Sequence, residues 1–552
     1  MLVLTLYWII LFGFFYQLSC WLKFNTQQVY PYTLSFLAVY GLGAFAMTVF
    51  SLFAGTPFWA DYFFGAIGIF GTIQFFRNEK KHIAFSSWDL SHLWIVLLFL
   101  GWSSLHTKIP DEGLYYNQAV KWFEEMGLVK GLGNFDFFLI QGSALHAWSA
   151  WFNFDETYSL NDINGFFALT FILETLKSTK NNAWIKLSTL LLLPILLLLS
   201  TSLSTDIIPI IGVACLTLML FREEEFKTWM AWVIVGVLLT KVNAIVFAFY
   251  LFMLAVRLWK KWKAASIIAL GTGLHFVKLF QTSGYLLAPF SHTFTLPNKH
   301  HIPVLNAKFS SIAGAQIGFN QVDYDKVAQW SAIDKLNHFF SMGKLEIISA
   351  LMVVSLVIYV LLFKKELKHK LYASSALIFA VIWFFTSPQF RLAIPVFFGL
   401  AIYVFGFIHY SVSRWITKGM KYTILILMSV LLLIPLGKLS FISENDFIAT
   451  YDGFSWKQTL IPAPLYRASG YEEAVFEGFA YIKPDTFAYC FDGPFPCQAS
   501  MLRTFNSDSV YYPVLLGEDL QDGLSYGTIA LESFDTLIVE QFNAYSINYW
   551  KD

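Results

Sequence analysis

The sequence predicts an all-α polytopic transmembrane bundle of about fourteen spans, followed by a small C-terminal domain of α+β or all-β character on the periplasmic face. Three observations carry this expectation. Hydrophobic residues fill 57% of the 552 positions and charged residues only 13%, with a mean hydropathy of +0.57. Apolar runs of near-spanning length recur along the chain. The basic clusters between those runs fall on one face when the runs are counted as alternating crossings. A soluble domain with a charged surface is excluded by this composition.

The runs cover residues 2 to 22, 32 to 54, 58 to 76, 91 to 105, 161 to 176, 185 to 203, 207 to 221, 228 to 240, 243 to 256, 264 to 281, 345 to 363, 371 to 386, 392 to 411 and 422 to 440. The first has no basic residue before it and exceeds a signal-peptide core, so it reads as a retained span rather than a cleaved leader. Between 185 and 221, and again between 228 and 256, only STD or KVN separates two apolar halves, and each pair reads as a hairpin of helices. No internal repeat of transporter type is visible.

With RNEKKH at 77 to 82 placed in the cytoplasm, the basic clusters at Lys177 to Lys186, Arg222 and Lys227, Arg257 to Lys263, Lys364 to Lys370 and Arg414 to Lys421 all land inside. Both termini and three polar regions then lie outside: 106 to 160, 282 to 344, and the tail from 441 to 552. Asp, Asn, Gly and Pro punctuate aromatic runs there, as in structured loops. Residues 1 to 76 form an N-terminal set of spans, 77 to 440 a core carrying the two outer loops, and 441 to 552 a domain in which SVYYPVLL and DTLIVEQF read as strands. The 19 Trp and 27 Tyr suit many helix ends at headgroup level. No basic face exists to neutralise phosphates, so no nucleic-acid partner is expected; the lipid bilayer is the expected surrounding.

In the first outer loop, Tyr115, Ala119, Trp122, Phe123 and Met126 recur at helical spacing, which predicts an amphipathic helix from Glu112 to Met126 lying on the membrane surface. Asp111 and Glu112 stand at its start. They read either as caps for free backbone N–H groups or as carboxylates able to accept a proton from an acceptor hydroxyl. Four basic groups are expected near outer helix ends: Lys241, His275 with Lys278 on one helical face, and Arg391 in a short loop between apolar runs. Each reads as an interfacial anchor or as part of a cradle for a lipid-linked phosphate.

Cys20 and Cys215 lie in apolar runs and behave as small hydrophobes. Cys490 and Cys497, in YCFDGPFPC, are expected to form a disulfide, which an exported location would preserve. Zinc is not expected at that spacing, and the adjacent His300 and His301 read as surface residues. No Walker motif, dinucleotide loop, GxSxG elbow or HExxH occurs.

The segments PDEGLYYNQAVKWFEEMGLVKGLGN, SGYLLAPF, SPQFRLAIP and YCFDGPFPC together resemble a family of bacterial membrane proteins common in Bacteroidetes and spirochaetes. That family in turn looks like the GT-C membrane glycosyltransferases, which use polyprenyl-phosphate sugars. The resemblance implies a GT-C-like core with residues 1 to 76 added, since three spans rather than one precede the first loop. It places the catalytic carboxylate, which accepts the proton of the acceptor hydroxyl, at Asp111, with Glu112 as neighbour or substitute. It places donor-phosphate binding on Arg391, helped by Lys278 or His275. The implied partners are a polyprenyl-phosphate-linked sugar and a glycan or lipid acceptor, in a bacterial inner membrane. No cofactor is demanded; a divalent cation is compatible, although the first loop lacks a DxD pair. The alternatives are a polysaccharide polymerase, ligase or flippase of lipid-linked glycans, or a non-catalytic subunit of an envelope complex.

Overall fold

The computed structural model describes residues 1–24, 31–78, 90–107, 109, 111–154, 163–178, 183–221, 226–241, 262–287, 291–296, 298–303, 329–341, 354, 367–386, 390–407, 414–434, 454–465, 470–476, 479–484, 490, 492–498 and 509–530. Fifteen α-helices lie among them. They are α1 (Leu2–Trp21), α2 (Pro31–Ser51), α3 (Ala60–Asn78), α4 (Leu90–Ser103), α5 (Asn117–Glu125), α6 (Ala144–Trp151), α7 (Ile163–Ser178) and α8 (Ala183–Leu199), then α9 (Ile207–Phe221), α10 (Ala231–Thr240), α11 (Trp262–Ser283), α12 (Ala332–Ser341), α13 (Leu367–Thr386), α14 (Phe390–Phe407) and α15 (Arg414–Leu433).

The expectation of about fourteen spans, and with it a GT-C-like bundle of that size, is corrected here. Among the described residues three helices are long and apolar enough to cross a bilayer: Leu2–Trp21, Tyr32–Ser51 and Trp262–Ser283. Several of the other apolar runs form helices of 10–17 residues. Helix α4, with 14 residues, reaches only about 21 Å, against the roughly 30 Å of a hydrocarbon core. The physical reason is that a run of apolar letters does not show how much of it is helical, and several of these helices are too short to cross. The breaks expected at STD and KVN are present, since seven residues separate α8 from α9 and α10 ends in extended backbone at Lys241. The run from 243 to 256, and all of 345 to 363 except Val354, lie outside the described residues. The three candidate spans make the protein membrane-associated by length and composition, and Phe58, Trp59 and Tyr62 stand exposed at the turn into α3.

Small residues set the closest helix crossings, as expected where backbones must approach without a hydrophobic driving force. Gly13 of α1 faces Gly68 and Gly71 of α3, and Gly41 of α2 lies under the Trp232 carbonyl of α10. Helix α11 packs on α10, α14 on α8 and α9, and α15 on α4 and α8. Trp94 and Trp102 of α4 donate to Ser429 Oγ (2.9 Å) and the Met428 carbonyl (3.3 Å) of α15. Residues 454–463 then tie three helix ends together, through Val3 N to Leu460 O (3.1 Å), Ala463 N to Ser104 O (2.8 Å) and Phe454 N to Leu432 O (3.1 Å).

Among the described residues the strands form three antiparallel pairs: β1 (Tyr285–Leu287) with β2 (Ser291–Thr295), β3 (Tyr471–Phe476) with β4 (Phe479–Pro484), and β5 (Ser509–Leu515) with β6 (Leu524–Ala530). The SVYYPVLL segment supplies β5; DTLIVEQF lies outside the described residues. Tyr481 and Leu524 from these hairpins share a buried cluster with Ala119, Trp122, Val129 and Phe135. The apolar face of α5 is therefore covered by protein, so α5 is not the membrane-surface ledge expected from its amphipathic pattern. Its remaining apolar residues, with Tyr115, Val120 and Phe123, belong to the main core.

Replacing Gly41 by Ala would drive a Cβ into the Trp232 carbonyl, a clash with backbone that should cost about 1–3 kcal/mol. Gly273→Ala, with nothing within 4 Å of the added carbon, should cost nothing within about 1 kcal/mol. Thermal unfolding of the two variants in detergent checks the difference.

Candidate functional site

The site begins at the break between α8 and α9, the segment STSLSTD at 200–206, every residue of which is buried. Ser and Thr here bond back to the last turn of α8: Ser200 donates to Leu197 O and Thr201 to Leu198 O, each at 2.8 Å. Such local bonds compete with helix continuation and end it. The freed backbone groups need partners in an apolar interior, and side chains from distant elements supply them. Asn164 of α7 donates to the carbonyls of Ser202 (2.8 Å) and Ser204 (2.9 Å). Leu203 N donates to Glu112 Oε2 at 3.0 Å, and Leu203 O accepts from His146 Nε2 at 3.3 Å.

Asp206 opens α9, accepts from Ser204 Oγ at 3.0 Å and forms an ion pair with Lys241. Lys241 stands where α10 gives way to extended backbone, and its side chain is 10% exposed. Buried charges persist only when paired in this way. Asp111 and Glu112 precede and begin a π-helical turn, Glu112–Tyr116, that leads into α5. They occupy different environments. Glu112 is 2% exposed and bound to the helix break. Asp111 is half-buried and accepts from the Tyr116 hydroxyl at 3.2 Å.

The remaining residues singled out from sequence are placed as follows. Lys278 is buried in α11, and its ammonium donates to Gly142 O (3.1 Å) and Leu239 O (3.3 Å). This joins the first loop to the end of α10, an arrangement repeated by Ser143 Oγ donating to Thr240 O at 2.8 Å. His275 is buried one turn earlier with both ring nitrogens lacking a hydrogen bond. Arg391 falls in the first turn of α14 rather than in a loop; its side chain lies outside the described residues. Cys490 and Cys497 are joined by a disulfide with Cα atoms 5.9 Å apart. His300 is part-buried, its Nε2 3.1 Å from Phe280 O, and burial lowers its pKa below the usual imidazole range. Among the described residues no group of three or more His, Cys, Asp or Glu could hold a metal ion.

The structure thus brings Glu112 and Lys241 to one helix break, with Asp111 one residue before Glu112 and Lys278 joining the first loop to the end of α10. The sequence reading missed Asp206, Asn164 and His146. A signal existed for Asp206: a carboxylate in a Ser/Thr-rich gap between two apolar runs is expensive in a membrane protein and marks a partnered site. Burial holds the His146 pKa near 3 despite the bond to Leu203 O, with the Lys278 charge lowering it further, so the ring is neutral and carries its proton on Nε2.

A family model described as a domain of unknown function (DUF8201) matches residues 1–398. No curated protein and no solved structure matches the chain.

Asp136 starts the short turn Phe137–Gln141 that presents Gly142 to Lys278. Burial raises its pKa from 3.8 to about 7, partly offset by bonds from Phe138 N and Leu139 N. The folded chain therefore holds a proton that the unfolded chain has released, and stability should fall as pH rises between about 4 and about 7, then level off. Thermal unfolding across that range checks this; Asp136→Asn should flatten the profile, and an unchanged slope in the variant would rule Asp136 out.

Proposed function

The chain belongs to the DUF8201 family, whose description prescribes no chemistry, and from its site we propose a membrane-bound glycosyltransferase that moves a sugar from a polyprenyl-phosphate donor to a hydroxyl of a glycan or lipid acceptor. The observation that carries this reading is the half-buried carboxylate of Asp111, which accepts from the Tyr116 hydroxyl and directly precedes Glu112, whose own carboxylate is bound into the α8–α9 break. In this scheme Asp111 accepts the proton of the acceptor hydroxyl as its oxygen attacks the anomeric carbon. The bond from that carbon to the phosphate oxygen breaks, and its electron pair leaves with the polyprenyl phosphate. A cation facing the leaving phosphate lowers the barrier.

Arg391 is the candidate cation for the leaving phosphate, because Lys241 is committed to Asp206. Lys278 is committed to two carbonyls and supports the loop rather than the donor. Glu112 likewise serves the helix break, so the single base is Asp111. A bacterial inner membrane with the C-terminal hairpins on its periplasmic side fits the disulfide, which persists in oxidising compartments.

A second reading, a non-catalytic membrane subunit, is favoured by one observation: Asp206 with Lys241, and Glu112 with Leu203 N, satisfy one another. The two readings separate on Asp111. Asp111→Asn should lower sugar transfer in membrane vesicles by about 10²–10⁴-fold with unchanged abundance in the membrane, whereas Glu112→Gln should lower abundance. Retained transfer in the Asp111 variant would remove the base and with it the enzyme reading.

A further inference from the structure

The chain between Cys490 and Cys497 holds two prolines and a glycine, so the closed loop is stiff and its polar groups point in fixed directions. Those groups meet α5. Asp492, 4% exposed, pairs with Lys121 at 2.8 Å. The Gly493 carbonyl accepts from Lys121 Nζ at 2.7 Å and from Gln118 Nε2 at 3.4 Å, while Cys497 N donates to Gln118 Oε1 at 3.2 Å. A side chain at 493 would meet the Tyr471 ring at 2.5 Å, so glycine is what allows this approach.

The disulfide side of the loop touches the turn itself. Leu114 and Phe138 pack against the two buried cysteines. Leu114 lies inside the π-helical turn, and Phe138 stacks on Tyr115 with ring centroids 5.0 Å apart. The next residue, Tyr116, donates to Asp111. A π-helical turn has poorer internal bonding than an α-helix and is found where the fold holds it from outside. Neither flank of this one carries a side-chain cap. The opposite flank is held by the Glu112 bond to Leu203.

We infer that Lys121 and Gln118 are positioning residues, through which the disulfide-closed loop clamps the turn bearing Asp111 and Glu112 in register with the α8–α9 break. The inference rests on the function proposed above and assigns the C-terminal region a part in aligning the base.

Hydrogen exchange of the full-length protein, read by mass spectrometry, tests the clamp without relying on activity. In Lys121→Met, and in the double variant Cys490→Ser with Cys497→Ser, amides of 111–117 should exchange about tenfold faster while α2 and α10 stay protected. Lys121→Arg should restore protection. A turn that stays protected in both variants overturns the inference, as does a loss spread equally over α2 and α10. In the same preparations the variants should lower kcat for sugar transfer with KM unchanged; a loosened turn with full kcat also overturns it. If the wild-type protein transfers no sugar, the proposed function fails, and the exchange result alone decides the clamp.

Discussion

The ion pair of Asp206 with Lys241 is the constraint around which the rest is arranged. A helix interrupted in an apolar interior leaves backbone groups and, here, a carboxylate that water does not reach. Lys241 neutralises that carboxylate from the end of α10, and this fixes how α9 and α10 meet. The same end of α10 is then tied to the first loop, because Leu239 and Thr240 offer carbonyls to Lys278 and Ser143. Glu112 and His146 close the circle by binding the two sides of Leu203. Removing one partner of a buried pair of this kind costs more than the pair contributes, since the other charge stays behind.

Two kinds of carboxylate result from one acidic dipeptide. Glu112 points into the break and is consumed by it, while Asp111 keeps partial exposure. Asp111 stands just before the π-helical turn and Glu112 begins it, and the two carboxylates meet different partners, the Tyr116 hydroxyl and Leu203 N. The fold therefore gives two adjacent carboxylates different surroundings, one buried and one half-buried.

The helix positions were largely legible in the sequence. The run from 2 to 22 became Leu2–Trp21, and the run from 264 to 281 became Trp262–Ser283. The number of crossings was not legible, because helix length depends on where Ser and Thr turn back onto α8 and where Lys241 ends α10. At the site, the acidic start of the first loop was visible as a helix terminus. The depth of Glu112 was not, since it is set by Leu203, which lies 91 positions away. The amphipathic pattern of α5 was correctly periodic, but periodicity is silent on whether lipid or the hairpin residues Tyr481 and Leu524 cover the apolar side.

The pairing of strands in two-stranded ribbons, three among the described residues, has a consequence for biogenesis. An isolated ribbon is marginal in water, and β3–β4 and β5–β6 derive their order from surfaces that earlier parts of the chain must already display. Synthesis runs from the amino end, so the helices supply the template and the ribbons arrive last. An excised carboxyl-terminal fragment would be a sticky, unfolded peptide, and ordering of these hairpins becomes a report that the helical part has assembled.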